Sequence, residues 1–169
     1  MEQTDTTVLT DIRQDLQKRF PGLIPTVVSD RTPKLESCIQ EIDTFLGGGL
    51  TFNGITEFGM PLGKEGRSIL LKFLVNATRG ITTKPVWTLW VSSHQDYSVF
   101  PPAWFARGVS PSRIIFSSSS APVQELKRAL INPLFKLIVL DSPKIFTRDD
   151  CFFINSQARY NQQLVILLR

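Results

Sequence analysis

From Gly54 onward, short apolar runs alternate with segments of helical period, and turn residues separate them. Five of the runs have the composition of buried strands, and they span 54–59, 85–93, 112–120, 135–142 and 163–169. Helical patterns lie between consecutive runs, at 68–80, 101–108, 121–130 and 148–162. Parallel strands need a long crossover between them, and a helix usually supplies it. The alternation therefore predicts an α/β fold, with a mostly parallel sheet covered by helices on both faces.

The strand ends of such a sheet predict where a functional site would lie. In open parallel sheets, ligands and partners bind beyond the carboxyl ends of the strands. The predicted strands would bring together five residues at that edge, namely Gly59, Ser93, Ser117, Asp141 and Arg169. We therefore expect the functional chemistry of the chain, if it has any, at this edge.

Composition excludes several classes of protein. A chain of 169 residues, 42% hydrophobic and 20% charged, has the size and composition of one globular domain with a core. Its apolar runs are too short to cross a bilayer, and the polar N-terminus does not resemble a secretion signal. We therefore expect no membrane partner and a cytoplasmic location.

The charged and metal-binding residues exclude further classes of site. The net charge of +4 permits an acidic partner, but without a concentrated basic stripe we expect no direct sequence-specific binding to nucleic acid. Cys38 and Cys151 are far apart and the chain has one His, so neither a disulfide framework nor a metal site is indicated. Both cysteines are interpreted as buried or idle thiols in a reducing compartment.

The first 35 residues are predicted to be a separate helix and linker. Apolar residues at four-residue intervals form a helical stripe on an otherwise polar segment: Val8, Ile12, Leu16 and Phe20. A linker with three prolines follows from Pro21, so the predicted domains are 1–35 and a core at 36–169. The helix could fold onto its own domain or dock on a neighbour. The linker slightly favours docking, which makes the stripe a candidate partner-binding surface.

The sequence of residues 57–74 nearly matches that of a phosphate-binding loop. Such a loop needs glycines, a Lys for the phosphates and a Ser or Thr for magnesium, all at the start of a helix. Gly59 ends the first strand as the motif requires. Without a gap, the positions for Gly, Lys and Ser/Thr fall on Lys64, Glu65 and Gly66, which places a carboxylate against the phosphates. That alignment predicts poor nucleotide binding.

Two other interpretations of the same residues remain open. If the loop is two residues longer, Gly66, Arg67 and Ser68 take the three positions, although Arg is bulkier than Lys and directs its donors differently. Alternatively, Gly63 and Gly66 only shape a turn between strand and helix, and the motif taken alone favours this. Asp141 ends a strand where phosphate-loop enzymes hold magnesium, but an Asp at a strand end is also common in turns.

Residues 38–61 resemble the opening of RecA-like ATPase cores. The positions that fit that frame are Ile42, Asp43, Leu46, Gly47, Gly48, Gly49, Leu50, Gly54, Glu57 and Gly59. Residues 91–117 and 135–142 are similar to later strands of these cores, so the resemblance covers 36–169. It implies a RecA-like fold with a vestigial nucleotide loop, which comprises Gly59, Gly63, Lys64, Gly66, Arg67 and Ser68, together with Asp141.

The departures from the family pattern fall on its chemistry. The Lys and Ser/Thr of the loop are displaced or replaced, and no Glu follows the second strand, where Asp96 is the nearest acid. Residues 142–150 are short for the first DNA-binding loop. The sequence ends at Arg169, so we expect a core truncated after the fifth strand, without the polar sensor and second DNA loop. These departures predict a degenerate ATPase with no catalytic residue, metal or cofactor, although weak ATP binding is left open.

Two protein families without a working phosphate-binding loop resemble this chain. The chain is more similar to ImuA, an accessory of translesion DNA synthesis in the DNA-damage (SOS) response. The N-terminal helix of ImuA ends in a sequence similar to residues 19–23 of this chain. This resemblance implies a non-catalytic protein that binds RecA and a Y-family-type polymerase, with self-association through the N-terminal helix as a further interaction. SulA, a cell-division inhibitor of related fold, is one alternative. A weakly active RecA-like ATPase is the other.

Overall fold

The computed structural model describes residues 32–59, 66–93 and 99–169. Pro33–Arg169 form one compact unit. The predicted N-terminal helix and its apolar stripe lie outside the described residues, and the domain boundary after residue 35 stays a prediction.

A two-stranded sheet and a short helix precede the main sheet. These elements are β1 (Lys34–Leu35), α1 (Gln40–Phe45) and β2 (Leu50–Thr51). Strands and helices then alternate: β3 (Gly54–Phe58), α2 (Gly66–Arg79), β4 (Trp87–Ser92), α3 (Pro101–Ala106), β5 (Ile114–Ser118), α4 (Pro122–Glu125), α5 (Lys127–Leu130), β6 (Phe135–Asp141), α6 (Arg148–Asn161) and β7 (Leu164–Leu168). A short 3-10 helix, Pro111–Arg113, leads into β5.

The main sheet has five parallel strands in the order β3, β7, β6, β4, β5. Their register places five residues in one row at the carboxyl ends, namely Phe58, Leu168, Asp141, Ser92 and Ser118. The predicted α/β fold with a parallel sheet is confirmed. The row also passes through or beside every residue expected at the carboxyl edge.

Two apolar cores cover the two faces of the sheet. Alternate residues of β6 point to opposite faces, so Leu137 and Val139 join one core while Ile138 and Leu140 join the other. Helix α2 packs on the first core through Leu70, Phe73 and Leu74, and α6 packs on the second through Ile154 and Ala158. Because both faces are buried, the central strands need apolar residues at every position, which explains their unbroken apolar runs.

Two features differ from the sequence prediction. The helix predicted at 121–130 is broken into α4 and α5, because the backbone at Leu126 (φ −112°, ψ 19°) leaves the helical range. Cys38 is exposed and Cys151 is half-buried, so of the two alternatives, buried or unreactive, burial is wrong for Cys38 and low reactivity stays a prediction. Partial desolvation, followed by the charges of Asp43 and Glu36, raises the pKa of the Cys38 thiol. A higher pKa leaves less reactive thiolate at neutral pH.

Within residues 32–59, 66–93 and 99–169, no helix combines the length and apolar character that a membrane crossing requires.

The turn before β2 depends on glycine at one position in particular. Gly49 has φ +110°, and a Cβ atom there would lie 2.4 Å from the backbone oxygen of Leu35 in the paired strand β1. Gly47 also has a positive φ, of +63°, but a Cβ atom there would have no neighbour within 4 Å. Gly49 therefore combines a backbone conformation that Ala hardly adopts with a close approach to β1, whereas Gly47 lies in the left-handed region that Ala can adopt and has no close neighbour.

We predict that Gly49→Ala lowers the melting temperature by several degrees more than Gly47→Ala does. The control substitution should cost about 1 kcal/mol, the usual penalty for the left-handed conformation, whereas Gly49→Ala must also push β1 away from β2. Thermal denaturation followed by circular dichroism measures both. Equal losses would show that the approach of Leu35 does not restrict this turn.

Candidate functional site

An ion pair lies at the centre of the carboxyl edge. Asp141 is the last residue of β6 and is only 3% exposed, while Arg67 is the second residue of α2 and is 38% exposed. Nη2 of Arg67 donates to Oδ1 of Asp141 at 2.7 Å, and Nε donates to Oδ2 at 3.2 Å. The pairing is bidentate, which is the geometry that suits a guanidinium and a carboxylate best.

The fold explains why these two side chains meet. β6 is the middle strand of the sheet, so its carboxyl end lies at the centre of the edge. Helix α2 starts at Gly66 above this edge, and burial of Leu70 and Leu74 orients its first turn. A cation in the first turn is opposed by the helix dipole. The carboxylate of Asp141 offsets that repulsion, because the first turn of α2 has no acidic residue of its own.

Asp141 has further partners at the edge. The Ser142 hydroxyl donates to Oδ1 of Asp141 at 3.1 Å, and the Ser93 amide donates to the Asp141 backbone oxygen at 3.1 Å. Both oxygens of the buried carboxylate therefore accept hydrogen bonds from the protein. A buried charge needs such hydrogen bonds to offset the loss of its contacts with water.

Serine hydroxyls beyond β4 and β5 are also engaged in structural contacts. Ser93 donates from its hydroxyl to the Ser119 backbone oxygen at 2.7 Å. Ser119 donates from its amide to the Ser92 backbone oxygen at 3.0 Å, and from its hydroxyl to Glu125 at 2.5 Å. These bonds fix the loops after the two strands.

The end of β7 contributes a second, more open charged pair. The Arg169 amide donates to the Phe58 backbone oxygen at 3.0 Å, and Nε of Arg169 lies 3.7 Å from a Glu57 oxygen. The guanidinium also lies over the Phe146 ring, 5.9 Å from its centroid. Both charged side chains of this pair are about half exposed, so solvent screens their attraction.

The structure describes only part of the predicted nucleotide loop. Gly59 follows β3 and is exposed, and Ser68 is half-buried in the first turn of α2. Gly63 and Lys64 lie outside the described residues, as does Asp96. Within the part of the chain that the structure describes, no cluster of three or more His, Cys, Asp or Glu residues could hold a metal ion.

The sequence pattern assigned Arg67 and Asp141 to one vestigial nucleotide site but did not predict their contact. It treated Arg67 as a replacement for a phosphate-binding lysine and Asp141 as a magnesium-site residue. In a nucleotide site, those two positions lie on either side of the phosphates and the metal. Because the sequence assigned both residues to one site, a direct ion pair between them could have been predicted.

Comparisons with known proteins bear on the fold. No protein-family model matches the chain, and a search of curated proteins gave no match. Among solved structures, the RadB recombinase aligns with 80% of this chain and 69% of its own, at a TM-score of 0.61 and 19% identity. The fold is RecA-like. This confirms the predicted architecture.

SulA from Pseudomonas aeruginosa is a second structural neighbour. The alignment covers 68% of this chain and 96% of SulA, at a TM-score of 0.52 and 16% identity. At such identities, both comparisons concern the fold. The relation to ImuA stays a prediction.

We predict that a double-mutant cycle on Arg67 and Asp141 gives a coupling free energy of about 1 to 2 kcal/mol. Fully buried pairs can cost about 3 to 5 kcal/mol when one partner is removed, and the exposure of Arg67 reduces the value expected here. Urea denaturation of the Arg67→Ala, Asp141→Ala and double variants measures the coupling.

The exposed pair of Arg169 and Glu57 is the matched control, because it lies on the same edge with the same types of charge. Its coupling should stay below about 0.5 kcal/mol. A coupling between Arg67 and Asp141 no larger than that of the control pair would contradict the structural role of the central ion pair.

Proposed function

We propose that the chain is a non-catalytic RecA-like accessory protein of the DNA-damage (SOS) response. In this proposal it supports translesion DNA synthesis by binding RecA and a Y-family-type polymerase. The proposal of a RecA-like accessory protein is supported by the RecA-like fold and by the resemblance of residues 38–61 to RecA-like cores. The resemblance to ImuA, which includes residues 19–23, supports the choice of partners.

The ion pair between Arg67 and Asp141 is the observation that carries the non-catalytic assignment. A phosphate-loop ATPase directs its loop cation at the phosphates and uses the strand-end Asp to hold magnesium. Here the cation points at the Asp instead, at 2.7 Å. For Arg67 to reach a phosphate and Asp141 to reach a metal, their two mutual hydrogen bonds would have to break.

The cost of breaking the pair decides how strongly a nucleotide could bind. A millimolar dissociation constant corresponds to about −4 kcal/mol and a micromolar one to about −8 kcal/mol. Losing an ion pair of about 2 kcal/mol, while the carboxylate is still buried, removes roughly half of that difference. Replacement of the usual loop lysine by an arginine removes more, because the geometry of its donors differs. We therefore propose no functional ATP or metal site and no turnover.

The proposed partner surface is the helix that the sequence predicts at 8–20, which lies outside the described residues. Its apolar stripe consists of Val8, Ile12, Leu16 and Phe20. Each of these side chains would contribute about 1.5 to 3 kcal/mol when fully buried. Together they would offset part of the entropic cost of association. RecA-like proteins use an equivalent segment to contact the adjacent subunit. We propose that this helix docks on RecA or on a second copy of the chain.

A SulA-like inhibitor of cell division is the second candidate, because the structural alignment spans 96% of SulA. Both candidates are binding proteins, so their partners distinguish them. Affinity purification after DNA damage should recover RecA and a polymerase under our proposal. Recovery of a cell-division protein without any repair factor would favour the SulA-like function.

We predict that Leu16→Asp with Phe20→Asp abolishes binding to purified RecA, while the melting temperature of the core stays nearly unchanged. Two charges placed in the stripe cannot be buried at an interface without a large desolvation cost. Biolayer interferometry measures binding, and calorimetry measures the melting temperature.

The matched control is Gln14→Asp with Gln17→Asp, which adds the same charge to the same predicted helix but away from the stripe. It should leave RecA binding intact. A loss of several degrees in the stripe variant, with RecA binding retained, would show that the helix folds onto its own domain.

A further inference from the structure

A cavity of about 300 Å³ lies at the amino-terminal edge of the sheet, opposite the ion pair. Val86 lines it just before β4, Lys136 lines it at the start of β6, and Phe52 lines it from the turn before β3. Its volume is at the lower end of the range for small-molecule sites. The cavity can therefore accept only a small ligand.

The charged groups that line the cavity are cationic. Among the described residues that line it, the ionisable ones are Lys84 and Lys136. Lys84 is exposed, and within the described ranges it has no hydrogen-bonding or charged partner. The Lys136 ammonium donates to the Asn161 backbone oxygen at 2.6 Å, which uses one of its three donors. The lining thus attracts an anion.

An unsatisfied hydroxyl in the lining also points to a ligand. Oγ1 of Thr83 is buried and has no hydrogen-bond partner within the described part of the chain. A buried polar group without a partner is unfavourable, so each such group in a folded protein calls for an explanation. Since Thr83 lines the cavity, a rotation of its side chain would let this hydroxyl donate to a ligand oxygen there.

The loop that presents Thr83 and Lys84 is held in place. The Asn76 side chain accepts from the Ile81 and Thr82 amides at 3.1 and 3.0 Å. Its amide group donates to the Thr82 hydroxyl at 2.8 Å. Because the loop is already fixed, a ligand would not have to order it, which lowers the entropic cost of binding.

We propose that this cavity binds a small carboxylate that carries an apolar group. The apolar group packs on Phe52 and Val86, and the carboxylate meets Lys84, Lys136 and the Thr83 hydroxyl. The ligand is either a free organic acid or the C-terminal carboxylate of a peptide with an apolar last residue. The proposal does not rest on the proposed function, since the cavity lies at the opposite edge of the sheet from Arg67 and Asp141.

The test is a nuclear magnetic resonance titration of the ¹⁵N-labelled full chain with 3-phenylpropanoate. We expect saturable shifts of amides at 83–86 and 135–137, with a dissociation constant in the millimolar range or tighter. The neutral analogue 3-phenylpropanamide should bind about tenfold more weakly, because it cannot form charge-assisted hydrogen bonds. No saturable shift at these amides, or equal binding of the two compounds, would overturn the proposal.

Substitutions in the lining separate binding from folding. Lys84→Met with Lys136→Met should weaken binding about tenfold, whereas Lys72→Met, an exposed lysine on α2, should have no effect. Thr83→Val should weaken binding without lowering the melting temperature, because it removes an unsatisfied hydroxyl at nearly constant shape. Unchanged affinity in both lining variants would also overturn the proposal.

A further titration with a peptide identifies the source of the carboxylate. Acetyl-Ala-Ala-Phe with a free C-terminus should bind more tightly than its amidated form in either case. Tighter binding than that of 3-phenylpropanoate assigns the site to polypeptide C-termini, and weaker binding assigns it to free acids. If the amidated peptide bound as well as the free acid, recognition of a carboxylate would be wrong.

Discussion

The ion pair between Arg67 and Asp141 is the central contact of the carboxyl edge of this sheet. It joins the start of α2, which follows the edge strand β3, to the end of β6 at the centre of the sheet. The pair leaves a buried carboxylate satisfied and a cation neutralised near a helix N-terminus. The same two side chains could serve a nucleotide only if they separated. The proposed loss of the phosphate site rests on this structural contact.

The two edges of the sheet differ in the state of their polar groups. At the carboxyl edge, Asp141, Ser93 and Ser119 have protein partners. At the amino edge, Thr83 has an unsatisfied hydroxyl and Lys84 has no partner within the described ranges. Parallel sheets usually bind ligands at the carboxyl edge. In this chain, Asp141, Ser93 and Ser119 at that edge are engaged in structural contacts, which supports the proposal of a function through partner surfaces.

The main sheet could be predicted from sequence because its three central strands, β7, β6 and β4, are buried on both faces. Full burial requires apolar residues at successive positions, and the strand Leu164–Leu168 shows this as an unbroken apolar run. Helix starts were also predictable where proline occupies the first turn, as at Pro101 and Pro122. The sheet of β1 and β2 was not predicted, since its strands have two residues each and carry no periodic pattern. The break at Leu126 depends on backbone angles that the helical period does not encode.

The sites were less predictable than the fold. The sequence placed Arg67 and Asp141 at one edge, but whether they face each other or a ligand depends on the direction of their side chains. The cavity at the amino edge was not predicted, because Phe52, Lys84 and Lys136 come from distant parts of the sequence and belong to no motif. Such sites form only when separate loops meet at one end of a sheet.

Isothermal titration calorimetry with ATP and magnesium tests the central claim most directly, because the claim is that the Arg67 and Asp141 pair replaces a nucleotide site. The account predicts no binding tighter than a dissociation constant of about 1 mM. A micromolar dissociation constant that is lost on changing Arg67 and Ser68 to Ala would contradict it. That result would show that the loop with two extra residues binds phosphate and that the ion pair opens to admit it.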